Sequence, residues 1–494
     1  MAPRISALIS NILRIFAGGA LLALAQAAWA DPWLAPGDAA IRGDIQLLAD
    51  AGILHGPVTT WPLSWPDVAR DALVADARGL DEATLQALMR IQRLSRAASS
   101  RGYAGAGILV SGSYQPTQLR GFTDTPREEG ELALRASFLG DHTALNVQGA
   151  VVTDPDDRRK FRPDGSYLGV TVGNFMISAG YLERWWGPGW DGSLILSTNA
   201  RPIPSITLER NYTDPFKTKL LSWIGPWRAS IAVGEAEAHD VAVPNARFLA
   251  ARVNFKPRPW LEFGLTRTAQ WCGGDRPCGW HVFTDMLIGR DNQLDNGNVS
   301  LEQPGNQMAG YDVRMRSPWR ALPLAFYSQW IGEDEAGGMP SKFLGLFGLE
   351  SWASTPLGGA RVRFEYADTA CNFSRQTPTF NCAYRSGVYP QGYTYRGRNI
   401  GDSMDNDGRS YSLAGTITRP NGDLLSLTLR KVELNRDGGP HTISTVPVDV
   451  DNVELRYSRM LGTGKISAGI GYDDPAVPPD SSRLHGFLIW QQGF

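Results

Sequence analysis

Residues 361–366 read Arg-Val-Arg-Phe-Glu-Tyr, an alternation that puts Val362, Phe364 and Tyr366 on one face of a strand and Arg361, Arg363 and Glu365 on the other. The same two-residue period returns at Val453, Leu455 and Tyr457 against Glu454 and Arg456. It runs through Leu425, Leu427 and Leu429 against Ser426, Thr428 and Arg430, and through Tyr311, Val313 and Met315 against Asp312, Arg314 and Arg316. Leu145, Val147 and Val151 alternate likewise with Asn146 and Gln148. Such strands fit a soluble sandwich, with the apolar face as core, or a transmembrane barrel, with the apolar face toward lipid and the charged face toward the lumen. The connections separate the two. Short ones at Lys256–Trp260, Ser317–Pro323, Ser354–Gly359, Pro420–Asp423 and Leu461–Lys465 alternate with long ones at Ala269–Met308, Ile331–Lys342, Ala370–Ser410, Asn435–Val450 and Asp473–Ser482. Tight turns at one end and long loops at the other mark an outer-membrane barrel, so the expected fold is an all-β transmembrane barrel of antiparallel strands.

The first thirty residues depart from this pattern. Arg4 and Arg14 stand without an acidic residue, an apolar run extends from Ile15 to Ala25, and Ala28-Trp29-Ala30 forms a small-residue cleavage motif. The run is shorter than the roughly 20 residues of a spanning helix. Residues 1–30 are therefore expected to be an export leader, with Asp31 first in the mature chain. Residues 31–101 carry a helical period. Asp38 can cap a helix through Ile41, Ile45, Leu48 and Ile53; Ser64-Trp65-Pro66-Asp67 can open a second through Val68, Leu73 and Val74; Asp81 can cap a third through Leu85, Leu88, Ile91 and Leu94. Three helices in so short a stretch bury little core alone, so the unit is expected to lean on the barrel of residues 102–494 at its periplasmic end.

Composition agrees. The 494-residue chain has 54 Gly, 32 Pro, 16 Trp, 15 Tyr and 18 Phe, which favours turns and strands. A net charge of -2 supplies no basic field for a phosphate backbone, and no nucleic-acid partner is expected. The four cysteines form two local couples, Cys272 with Cys278 and Cys371 with Cys382, each in a long connection rich in turn formers. Local pairing is the economical choice among the three connectivities that four cysteines allow, and disulfides suit an exported chain.

The densest motif is Glu183-Arg184-Trp185-Trp186-Gly187-Pro188-Gly189-Trp190, continued by Ser193-Leu194-Ile195-Leu196-Ser197-Thr198-Asn199-Ala200-Arg201-Pro202-Ile203-Pro204. Two roles fit it. Tryptophan faces stack on sugar rings while Arg and Asn bind hydroxyls and carboxylates, which makes Arg184, Trp185, Trp186, Trp190, Asn199 and Arg201 candidate glycan-binding residues. Alternatively the tryptophans belong to the interfacial girdle or wedge a folded-in loop against the wall. The R-W-W-G-P-G-W stretch and its continuation resemble the signature of the Wzi capsule-assembly family of Gram-negative outer-membrane proteins. That resemblance implies an 18-stranded barrel whose N-terminal helices close the periplasmic end and which acts at the cell surface as a lectin-like anchor for capsular or exopolysaccharide. Strand counting is consistent with it: eleven strands run back from Arg483–Phe494 to Phe248–Phe255, and seven more are expected near Ala104, Glu131, Ala144, Tyr167, Phe175, Lys217 and Trp227. Gly486, Leu488, Trp490 and Phe494 share one parity at the terminus, so Trp490 and Phe494 resemble the insertion signal that the barrel-assembly machinery reads, with polar Gln492 as a departure.

Enzyme signatures are weak. Asp154-Asp156-Asp157 and Asp402-Asp405-Asp407 are the acidic clusters, and such loop clusters are usually solvated surface; the second lacks the downstream Glu of a calcium loop. His55, His142, His239, His281, His441 and His485 show no ligand spacing, so no catalytic residue, metal or cofactor is expected. Lumenal arginines, Arg314, Arg316, Arg361, Arg363, Arg430 and Arg456, can meet an acidic polysaccharide or pair with Glu365 and Glu454 inside the barrel. The expected protein is a monomeric, non-enzymatic outer-membrane barrel whose partners are surface polysaccharide and membrane lipid. The rival reading is a porin-like or export channel.

Overall fold

The structure, a computed structural model, describes residues 31–98, 103–236, 241–288, 294–295, 298–299, 305–319, 321–336, 339–478 and 481–494. The expected leader, residues 1–30, lies outside them. Eighteen strands close into one antiparallel barrel. In chain order they are β1 Tyr103–Tyr114, β2 Gly130–Leu139, β3 Thr143–Thr153, β4 Tyr167–Val172, β5 Phe175–Gly180 and β6 Ser205–Arg210. There follow β7 Trp227–Glu235, β8 Arg247–Arg258, β9 Leu261–Trp271, β10 Gly305–Arg316, β11 Leu324–Ala336 and β12 Met339–Thr355. The last six are β13 Gly358–Asp368, β14 Arg409–Thr418, β15 Leu424–Leu434, β16 Val448–Leu461, β17 Gly464–Asp474 and β18 Leu484–Gly493. A two-residue piece, Phe161–Arg162, adds to the upper part of β3. β18 pairs with β1 from Gly486↔Tyr114 to Gly493↔Gly107, and the Phe494 amide donates to the Ala106 carbonyl at 2.8 Å, so the terminal residue seals the seam.

The parity read from the sequence is the wall's inside and outside. On β13, Val362 is 53% exposed and Arg363 9%. On β16, Val453, Leu455 and Tyr457 face out while Glu454 is buried in the lumen, and β3, β10 and β15 repeat the arrangement. An exposed apolar row is costly in water and fits a lipid-facing surface.

Two expectations are corrected. The stretch around Lys217 is a turn, and the sixth strand is β6. Its alternation, with Ile206 and Leu208 outward and Thr207 and Glu209 buried, is masked in sequence by the preceding Pro202-Ile203-Pro204, whereas Lys217 sits between Pro215 and Gly225 in a stretch without alternation. Of the connection expected over Ile331–Lys342, residues 331–336 and 339–342 are instead strand, because β11 and β12 stay paired out to Ala336↔Met339.

Helices α1 Ala39–Asp50, α2 Trp65–Val74 and α3 Glu82–Ala98 precede the barrel. Asp38 caps α1 by accepting from the Ala40 and Ile41 amides (2.9 and 3.1 Å). Ser64 caps α2 by accepting from the Asp67 amide at 3.4 Å, but the Asp67 carboxylate turns away to Thr213, so the box is half made. The unit leans on the short-turn end of the barrel. Arg90 donates to the Arg419 carbonyl (3.2 Å), Ala83 to Ser354 Oγ (3.2 Å), and Lys256 Nζ to the Leu54 carbonyl (3.3 Å). Lys465 pairs with Asp38 at 2.5 Å.

At the opposite end, Cys272 is bonded to Cys278 and Cys371 to Cys382, as expected. The first bond precedes α4 Trp280–Leu287, which lies on the outer wall against Leu249, Ala269 and Trp271.

Candidate functional site

The tryptophan motif leaves β5 at Gly180 and returns to the wall at Ser205, and between them it fills the lumen. The wall holds it through two side chains. Glu365 on β13 accepts from three consecutive amides, Trp190, Asp191 and Gly192, at 2.8, 2.9 and 2.8 Å, and from Tyr327 Oη at 2.8 Å. Gln329 on β11 accepts from the Leu194 amide and donates to the Trp186 carbonyl, at 2.8 and 2.9 Å. A buried carboxylate is tolerated when donors surround it, and three backbone amides do so here. Gly187, at φ +140°, passes so close to Gln329 that a Cβ would lie 2.6 Å from Nε2.

The helical unit meets the motif from below. Trp185 and Trp186 pair as a two-residue strand with Trp61 and Thr60. Arg42 of α1 donates to the Pro188 carbonyl at 2.8 Å and lies over the rings of Phe122 and Trp190, 4.2 and 4.1 Å from their centroids. Arg363 also lies over Trp190, at 4.3 Å. Trp61, Phe122 and Trp185 form an edge-to-face stack that belongs to the core of the helical unit.

Above, the motif is tied to the extracellular loops. Asn199 Nδ2 donates to the Asn399 carbonyl (2.9 Å) and Ser197 Oγ to the Gly401 carbonyl (2.5 Å). Arg201 grips Asp164 with two bonds (2.8 and 2.7 Å) and Asp157 with one (2.5 Å). Next to these contacts sits Asp402, whose Oδ1 accepts from the Met404 amide at 3.0 Å while Oδ2 is buried without a partner. Burial pushes its carboxyl up to about 7, with the charges of Asp191 and Glu365 adding to the rise.

All six candidate glycan-binding residues thus lie in one segment, and all are buried. Trp185 and Trp186 have no exposed surface, and Arg184 spends its guanidinium on the Leu182 carbonyl, Ser205 and Thr207. The lumenal arginines are largely paired: Arg314 with Asp50 and Glu350, Arg361 with Glu350, Arg430 with Asp191 and Glu454, and Arg456 with Glu454. Glu365 departs from the expected pairing by taking amides. Its role, and those of Gln329 and Arg42, had no local sequence signal, because the tryptophan-segment residues they hold lie more than 130 positions away.

Comparison with known proteins completes the picture. The family model for the capsule assembly protein Wzi matches residues 101–478. The chain belongs to the Wzi capsule-assembly family. A curated relative of this Wzi-family chain, an uncharacterized 55.8 kDa protein in the cps region of Klebsiella pneumoniae, is 31% identical over 338 residues, 68% of this chain. The match spans 65% of that relative, just under two thirds of its length. A solved structure of Wzi, an outer-membrane protein involved in group 1 capsule assembly in Escherichia coli and a carbohydrate-binding β-barrel, is 27% identical. It aligns with a TM-score of 0.79 over 93% of this chain and 98% of its own. The Wzi-family chain is accordingly an outer-membrane protein, crossing the bilayer with strands; no helix among the described residues is long and apolar enough to do so.

Proposed function

We propose that this Wzi-family chain binds a capsular or exopolysaccharide at the extracellular end of a sealed barrel and promotes its attachment and assembly at the cell surface, without catalysing a reaction. The observation that carries the reading is the doubly latched lumen: Glu365 and Gln329 pin the tryptophan segment to the wall while the Trp61 strand and Arg42 brace it from the periplasmic side. A bore filled this way suits a binding platform better than a conduit for solute or nascent glycan. The carbohydrate-binding character of the similar Escherichia coli barrel supports the same direction.

In this reading Trp185, Trp186 and Trp190 give the platform its rigidity, Arg184 ties the segment to β6, and Asn199 and Arg201 fix the loops that meet the polymer. Residues 31–101 serve as a periplasmic closing unit, and Trp490 and Phe494, at the closing seam, as the signal recognised during insertion.

The test is the partition of the host's polysaccharide between cells and medium, by quantitative blotting, with the gene deleted and restored. Total glycan is expected to hold steady and shift into the medium on deletion. Trp185→Ala with Trp186→Ala, in a normally inserted barrel, is expected to repeat the shift. Polysaccharide retained on deleted cells at the wild-type level would refute the reading.

A further inference from the structure

We infer that the connection between β6 and β7, residues 211–226, is a binding site for anionic phospholipid in the periplasmic leaflet of the outer membrane. It is much the longest connection at the short-turn end, where the next, between β10 and β11, covers only 317–323. Its base is rigid. Ser64 Oγ donates to Asn211 Oδ1 at 2.5 Å, and the Thr213 amide and hydroxyl donate to Asp67 at 3.1 and 2.8 Å. Arg70 of α2 bonds Asp214 at 2.8 Å, and Asn174 exchanges two bonds with the Tyr212 backbone (2.7 and 3.0 Å).

Its tip is the opposite. Leu220 is 81% and Trp223 61% exposed, and Lys217 and Lys219 beside them are exposed as well. The position of the tip selects the occupant. The Trp223 ring meets Phe255 edge-on, centroids 6.4 Å apart, and Phe255 stacks on Phe263 at 5.7 Å. Phe255 and Phe263 have the outward parity of β8 and β9, since Asn254, Lys256, Glu262 and Thr266 are buried on the other face. The hook therefore continues the lipid-facing wall at its periplasmic rim, where tryptophan settles at headgroup depth and lysine reaches phosphate.

Charge points to an anionic headgroup. Among the described residues neither Lys217 nor Lys219 has a carboxylate within ion-pair distance, and the nearest acid along the chain, Asp214, is engaged by Arg70. Two unpaired ammonium groups beside an apolar anchor match phosphatidylglycerol or cardiolipin, while a zwitterionic headgroup gives them no net charge to meet. Because the base of the hook is bonded to Ser64, Asp67 and Arg70, a lipid held there also steadies α2.

The probe is residues 31–494 in nanodiscs of phosphatidylethanolamine and phosphatidylglycerol at about 3:1, with retained lipids counted by native mass spectrometry after gentle extraction. Closed barrels are first verified by heat-modifiable migration. The wild type should retain phosphatidylglycerol above its share of the bilayer. Lys217→Gln with Lys219→Gln should lower that retention on the order of tenfold, and the paired Arg substitutions should restore it. Leu220→Ser with Trp223→Ser should lower retention of both lipids. Equal retention of the two lipids by the wild type, or unchanged phosphatidylglycerol in the Gln variant, would overturn the assignment.

Discussion

Asp402 is a carboxyl kept in conflict with its surroundings. One oxygen has the Met404 amide, the other has nothing, and the group takes a proton near pH 7 against an ordinary value of 3.8 because it is buried close to Asp191 and Glu365. The native state therefore binds more protons than the unfolded chain between about pH 4 and 7, so stability falls as pH rises through that window and levels off above it. The slope reaches at most about 1.4 kcal/mol per pH unit from this one group. Asp402→Asn keeps the acceptor for Met404 and removes the titration. The wild type should melt at a lower temperature at pH 8 than at pH 5, and the variant should show a smaller gap between the two; an identical gap would assign the pH dependence elsewhere.

At the level of elements, β13 has two unrelated jobs. Its backbone pairs with β12 and β14 to close the wall, and its inner face carries Glu365, which holds the tryptophan segment. The jobs can be separated. Glu365→Ala leaves both ladders intact but orphans three amides and the Tyr327 hydroxyl, a loss on the order of 3 kcal/mol at the segment. Hydrogen exchange at residues 190–192 should then accelerate about a hundredfold while β13 itself stays protected; equal acceleration of strand and segment would mean that the wall had failed instead. The ladder was legible in sequence and the latch was not. Alternation at 361–366 gives the pairing face of each residue because side-chain direction is a local property of a strand. That Glu365 would meet Trp190 depends on a contact 175 positions away, and no pattern within β13 encodes it. For the same reason β6 was misplaced, since only the partner strands reveal that alternation resumes at Ile206 after the prolines. The cysteine couples were readable because each bond spans a single connection.

The whole molecule is a cylinder stoppered by its own chain, once from within the wall and once from the N-terminal helices. Removing residues 31–98 takes away the Trp61 strand, Arg42 and the Asp50 partner of Arg314 together. In planar-bilayer recordings the intact protein is expected to conduct little and the deleted form to open steady conductance; large conductance in the intact protein would favour the channel reading. The ion pair between Asp38 and Lys465 joins positions 427 residues apart. Assembly is thereby given a clock. The helices precede every strand of the barrel, yet the residue that receives Asp38 stands at the start of β17, so this latch cannot close until nearly the whole wall exists. Loop closure on that scale is entropically slow, and a chain cut short before β17 would leave Asp38 without its partner and the stopper without this last fastening.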